Sequence, residues 1–164
     1  MSDSSPTLAV LDMPGLRVAL VAITGPAAAF IPGAMPPIEP LSADEPHPLP
    51  AELPAGLEPR RLGEGYCAVD ESGQLAVSWI ALELPPGETL AMAWDPADGP
   101  TPTLQALSLG GRAAAFMSAA WSAASRERLP LLAVRAGPDS CWLIGGRISS
   151  VELARVAASL PAFS

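Results

Sequence analysis

A chain of 164 residues with 49% hydrophobic content has enough apolar material for one core and too little length for two full domains. Its basic residues are nine arginines and no lysine against 17 carboxylates, so a net charge of -8 sets it against phosphate backbones and anionic lipid. Nucleic acid is therefore disfavoured as a partner and strong membrane association is not expected, while the absence of asparagine and the abundance of alanine and proline reflect GC-rich codon usage rather than mechanism.

Residues 7 to 24 contain two apolar runs, Thr7 to Leu11 and Leu16 to Thr24, separated by Asp12-Met13-Pro14-Gly15. Proline and glycine there supply tight-turn chemistry, so residues 1–25 are expected to form an N-terminal β-hairpin. The second run alternates weakly, as a strand covered on both faces does. Val18 to Ile31 is also a 14-residue apolar stretch behind Arg17, interrupted by Gly25-Pro26. As a helix it would span roughly 21 Å, short of a bilayer core of about 30 Å. If translation began at Met13, the same stretch would resemble a poor signal peptide ending near Gly33-Ala34 or Ser42-Ala43. Location thus stays open, cytoplasmic with an intact N-terminus and extracytoplasmic otherwise.

From Pro26 to Pro59 there are ten prolines in 34 residues, which remove backbone donors and forbid regular helix. Residues 26–59 are expected to be a connector or extended arm. His47, the sole histidine, lies between Pro46 and Pro48. With neither a rigid setting nor an orienting partner expected in such a tract, it reads as a solvated side chain.

Residues 60–164 then turn to β patterning. Gly65 to Val69 and Gln74 to Leu84 flank Asp70-Glu71-Ser72-Gly73, the clearest hairpin signal in the chain. Pro85-Pro86-Gly87 makes the next turn, Glu88 to Trp94 the next strand, and Asp95 to Pro102 a longer loop. Gly111 to Arg128 supports two readings: its alanines favour helix, with Phe116, Ala120 and Ala124 on one face, whereas Gly110-Gly111 before it and Arg126-Glu127-Arg128 after it fit a strand returning through Leu129 to Ala136. Ser140 to Ile144 reads as a strand and Gly145-Gly146 as a turn. Ser149-Ser150-Val151-Glu152 has capping-box spacing. The helix it opens carries an apolar stripe drawn from Val151, Leu153, Ala154, Val156, Ala157 and Leu160, with Arg155 facing away and Pro161 ending it. The expected fold class is α+β: one domain with an antiparallel, curved sheet built as a meander of hairpins, and a C-terminal helix packed on one face.

Cys67 and Cys141 stand 74 residues apart in apolar runs, without zinc-ribbon or CxxC spacing. Buried free thiols are the expectation, with a disulfide or a reactive role as alternatives. No metal site and no cofactor are expected. No nucleophile elbow, Walker loop, zincin motif or dinucleotide fingerprint occurs, so no catalytic residues are assigned and the chain is read as a non-enzyme. Asp70-Glu71 and the pair Asp95 and Asp98 sit in expected exposed turns, where carboxylates are common.

Two other constellations are candidates for binding. Leu109-Gly110-Gly111-Arg112 and Ile144-Gly145-Gly146-Arg147 repeat a Gly-Gly-Arg turn 35 residues apart. Glycine amides with Arg112 or Arg147 could hold a carboxylate or phosphate, though such a turn also simply ends a strand. Trp79, Trp94, Trp121 and Trp142 all fall in strand candidates, either as core anchors or, if they line an open face, as a site for an apolar ligand or partner peptide.

The residues Leu131-Leu132-Ala133-Val134-Arg135, Cys141-Trp142-Leu143-Ile144-Gly145-Gly146, Ile148-Ser149-Ser150-Val151-Glu152-Leu153-Ala154 and Ala157-Ala158-Ser159-Leu160 follow in an order that resembles a known family. It is the sensor-like domain found C-terminal to the membrane helix of many bacterial anti-sigma factors, a relative of lipoprotein-carrier-like folds. Leu53-Pro54-Ala55-Gly56-Leu57 is similar to the lead-in before that domain's first core strand. The resemblance spans about residues 53–160 and implies a curved antiparallel sheet with helices on one face, an extracytoplasmic setting and a non-catalytic sensing or binding role. Together these readings anticipate a binding or sensor-like domain that presents a sheet and helix surface to a protein partner or small apolar ligand. The alternative is a small intracellular accessory protein acting through an oligomeric or heteromeric interface, its proline arm packing on a neighbour.

Overall fold

The computed structural model describes residues 7–22, 37–44, 46–94, 103–122 and 127–163. Strands β1 (Thr7–Met13) and β2 (Leu16–Ala22) form the expected N-terminal hairpin, closed by Pro14 and by Gly15 at φ 88°. Proline presets the first turn position and glycine alone takes the second without strain. β3 (Ile38–Glu39), β4 (Glu58–Leu62), β5 (Gly65–Val69) and β6 (Leu75–Glu83) follow as an antiparallel run. The β5–β6 turn is held by Asp70, whose Oδ1 accepts from Ser72 Oγ (2.6 Å), Ser72 N (2.9 Å) and Gln74 N (3.0 Å). The Ser72 hydroxyl, then the Gln74 amide, lower the carboxyl below its usual range.

β7 (Thr89–Trp94) lies where the sequence indicates a strand, but it does not extend the meander. It leaves the large sheet and pairs in parallel with β2, Arg17 opposite Thr89 and Ala22 opposite Trp94. The cause is local: Pro85 and Pro86 offer no ladder donors, and β6 already carries β5 on one side and a later strand on the other. The N-terminal hairpin is thus not a separate unit, because a strand from the C-terminal region completes its sheet.

β8 (Leu104–Leu109), a strand the sequence analysis did not single out, β9 (Arg112–Ser122), β10 (Glu127–Gly137) and β11 (Ser140–Gly146) complete an eight-stranded sheet of order β3-β4-β5-β6-β11-β10-β9-β8. Within its described residues the alanine-rich segment 111–128 is therefore strand from Arg112 onward. β9 is bonded to β8 on one edge and β10 on the other, and ladder pairing on both edges overrides alanine's helical propensity. Gly145 and Gly146, expected as a turn, instead continue β11 opposite Ser78 and Val77. A Cβ on Gly146 would collide with the Ala76 carbonyl oxygen, so glycine here permits close strand approach rather than reversal.

Helix α1 (Ser150–Ser159) starts at the predicted cap: Ser149 Oγ accepts from Glu152 N at 3.1 Å. Leu153, Val156, Ala157 and Leu160 are buried and Arg155 is exposed, but Val151, 64% exposed, lies outside the stripe. The helix packs against β10 and β11.

Side-chain alternation then sorts the large sheet into two faces. Leu132, Val134, Ala136, Trp142 and Ile144 point to α1, whereas Leu131, Ala133, Cys141 and Leu143 point to the three-stranded sheet β1-β2-β7 with Leu16, Val18, Leu20 and Met92. The result is three layers: a small sheet, a large mostly covered sheet, and a layer made of α1 and part of the proline tract. Among the described residues no helix is long and apolar enough to cross a membrane.

Candidate functional site

At one end of the two-sheet stack, three reversals converge: the β1–β2 turn, the Pro86-Gly87 link into β7 and the β10–β11 turn. Between them opens a cleft of about 570 Å³ with Met13, Leu16, Pro86 and Pro138 among its lining and Asp12, Arg17 and Glu88 charged about it. Arg135 holds the three segments in place. Its Nε donates to the Gly15 carbonyl (2.7 Å), its Nη1 to the Leu84 carbonyl (2.6 Å) and, longer, to the Ser140 carbonyl (3.4 Å). A planar guanidinium with several fixed donors can serve divergent carbonyls that one ammonium could not. The volume falls within the range of small-molecule and peptide pockets.

The proline tract forms a second feature, a strap across the helix-side face. Trp79, 1% exposed, donates its indole N–H to the Pro48 carbonyl at 3.0 Å. Tyr66, opposite Trp79 in the ladder, stacks on it with centroids 6.2 Å apart and planes at 18°. His47 is not the solvated side chain the sequence suggests. Its ring is half-buried edge-on to Tyr66, centroids 5.5 Å apart, with Nε2 2.7 Å from the Ser42 carbonyl oxygen and Nδ1 3.2 Å from Tyr66 Oη. A carbonyl only accepts, so Nε2 carries the proton; in the neutral ring Tyr66 donates to Nδ1 while its oxygen accepts from Arg61 Nη1 at 3.3 Å. One orienting partner, the Ser42 carbonyl, lies within the tract itself, and the other, Tyr66, comes from β5, which no local reading of the tract could reveal.

The four candidate residues whose side chains are described, Trp79, Trp142, Arg112 and Arg147, do not converge. Trp79 and Trp142 share the core beneath α1, each 1% exposed, so both act as anchors there. Trp142 Nε1 donates to the Pro161 carbonyl at 2.8 Å, just as Trp79 donates to Pro48, so each indole ties down a passing segment. Trp94 ends β7 and Trp121 lies on β9; their side chains fall outside the described residues.

The two Gly-Gly-Arg repeats also diverge. Gly110 and Gly111, at φ 59° and 81°, form a hairpin turn, and Arg112 Nη2 reaches the last carbonyls of α1, those of Ala157 (3.2 Å), Ala158 (2.9 Å) and Leu160 (3.2 Å). The helix has no basic residue in its own last turn, so Arg112 supplies the cation its negative end favours. Arg147 is exposed two residues before the N-cap, at the other end of the helix.

Both cysteines are buried free thiols. Burial pushes the Cys67 thiol up to about 11 and raises that of Cys141, against weaker opposing effects of Arg60 and Arg135. Neither is poised as a thiolate nucleophile. Asp70 and Glu71 occupy the β5–β6 turn, whereas Asp95 and Asp98 lie outside the described residues. Among the described residues no group of three or more histidine, cysteine, aspartate or glutamate side chains could hold a metal ion. Compared with family models, curated proteins and solved structures, the chain matches none.

Proposed function

We propose that this protein is a non-catalytic, sensor-like binding domain that receives a protein segment or small apolar ligand in the cleft where the three reversals meet. The single observation carrying this reading is the cleft itself: it has ligand-sized volume, an apolar component to its lining and a charged margin, and a guanidinium fixes its walls. The described groups most suited to nucleophilic or general-base chemistry support it from another side. His47 is held by Tyr66 and Ser42, and both thiols are buried. The resemblance of residues 53–160 to sensor-like domains points the same way.

A second reading, an accessory protein working through an oligomeric or heteromeric interface, is favoured by β8. This edge strand, Leu104–Leu109, carries no charge, proline or bulge, the usual guards against strand addition. The opposite edge, β3, is only two residues long.

One experiment separates the two. A photocross-linking amino acid replaces Arg17 at the cleft or Gln105 on β8, and the protein is irradiated in its native cell. A discrete adduct from position 17 supports the cleft reading. An adduct from position 105, at twice the chain mass for an oligomer or at another discrete mass for a heteromer, supports the second, and adducts from neither position refute both.

A further inference from the structure

The strap shows what kind of ligand its own resting place accepts. In Glu45-Pro46-His47-Pro48-Leu49-Pro50, every second residue is proline, so each intervening residue is steered to extended backbone and the segment is preordered before it touches anything. Residues 46–50 of it lie on a paired aromatic platform, Tyr66 and Trp79, whose indole N–H donates to a proline carbonyl while Arg61 sits 5.1 Å above the Tyr66 ring. An aromatic surface with one indole donor aimed at a proline carbonyl is the chemistry by which proline-rich extended peptides are recognised, because such peptides keep strong carbonyl acceptors and lose little entropy on binding.

The strap's hold on the platform is also unlike that of the strands. Prolines cannot enter a ladder. Among the described residues between Ser42 and Leu53, hydrogen bonds to the rest of the fold join Trp79 to Pro48, His47 to Tyr66, and the amides of Ala51 and Glu52 to Ser159 O (3.2 Å) and Oγ (3.1 Å), while Leu49, Leu53 and buried Pro50 add apolar packing. A segment with no ladder bonds opens at lower free energy than the core strands, which carry both ladder bonds and core packing.

We propose that the Tyr66–Trp79 platform is a binding site for proline-rich extended peptides, occupied in cis by residues 46–50, and that its partner is a protein bearing such a segment, which replaces the strap. The site is separate from the cleft and does not depend on it.

The test uses the full chain and a synthetic peptide of residues 43–51. In a variant with Pro46→Gly, Pro48→Gly and Pro50→Gly, the strap regains freedom and should populate its open form. Adding the peptide should then move the Trp79 Nε1–H resonance saturably back towards its wild-type position, while a peptide with the prolines replaced by alanine should not. Dimers of the variant that the peptide dissolves would likewise show the platform taking a strap in trans. No saturable shift in a variant whose β10 and β11 resonances remain native overturns the proposal.

Should that variant fail to fold, hydrogen exchange in the wild-type protein decides. The Trp79 indole proton should exchange at least ~10-fold faster than the Val134 amide after correction for intrinsic rates, as local opening requires. Exchange of both only through global unfolding overturns the idea.

Discussion

Replacing Arg135 by methionine should loosen the end of the molecule where the two sheets meet. Methionine keeps much of the side chain's length and apolar contact but none of its donors. Two short bonds are lost, to Gly15 O (2.7 Å) and Leu84 O (2.6 Å), while the contact to Ser140 O at 3.4 Å is marginal. Hydrogen bonds to a charged group contribute about 1.5–3 kcal/mol each. The residue is half-buried, so water can replace part of this, and screening reduces it further. A net loss of about 2–4 kcal/mol is expected, and for a chain of this size that lowers Tm by roughly 5–15 °C. Urea denaturation followed by circular dichroism measures the first figure and a thermal scan the second. Hydrogen exchange should locate the damage in the β1–β2 turn, while β5 and β6 keep their protection. Arg135→Lys should recover only part of the loss, because one ammonium cannot serve two divergent carbonyls. Arg17→Met, at an exposed position beside the same cleft, should stay within about 0.5 kcal/mol of the parent. A loss below about 0.5 kcal/mol for Arg135→Met, or complete rescue by lysine, would refute the view that this guanidinium clamps the layers.

Three other perturbations test the packing. Leu153→Ala should cost about 2–5 kcal/mol by emptying the centre of the α1 interface, whereas Val151→Ala, on the exposed side, should be nearly silent in the same urea titration. Gly146→Ala should destabilise more than Gly111→Ala, because the first drives a methyl into the Ala76 carbonyl of a paired strand while the second only strains an exposed turn at φ 81°; parallel thermal scans compare them. The Cys67 thiol, pushed up to about 11 by burial, holds its proton more tightly folded than unfolded. Its contribution is therefore complete below the unfolded value near 9 and is lost as pH rises from there towards 11. Cys67→Ala should flatten that part of the stability profile, and a disulfide reagent at pH 8 should label neither cysteine until denaturant is added.

Local chemistry alone determined much of this molecule. The Pro14-Gly15 and Asp70-to-Gly73 turns, the strands beside them and the Ser149 cap are all short-range matters, in which the residues that dictate the conformation are the ones that adopt it. The same holds for the apolar stripe Leu153-Val156-Ala157-Leu160, whose spacing needs no knowledge of what it packs against. Partnership was another matter. That β7 abandons its sequence neighbour for a parallel place beside β2 depends on which edges of β6 are filled, and that β9 is a strand depends on neighbours on both sides. The two Gly-Gly-Arg segments are identical as tripeptides, yet one turns a hairpin and the other runs inside a strand, because only the second must pass within touching distance of Ala76. At the candidate sites His47 and Arg135 each have one near partner, five residues away at Ser42 and Ser140, and show the same division only in their distant ones, Tyr66 at 19 residues and Gly15 at 120. No local pattern encodes those contacts; they exist only once the sheets have stacked and the strap has crossed the face.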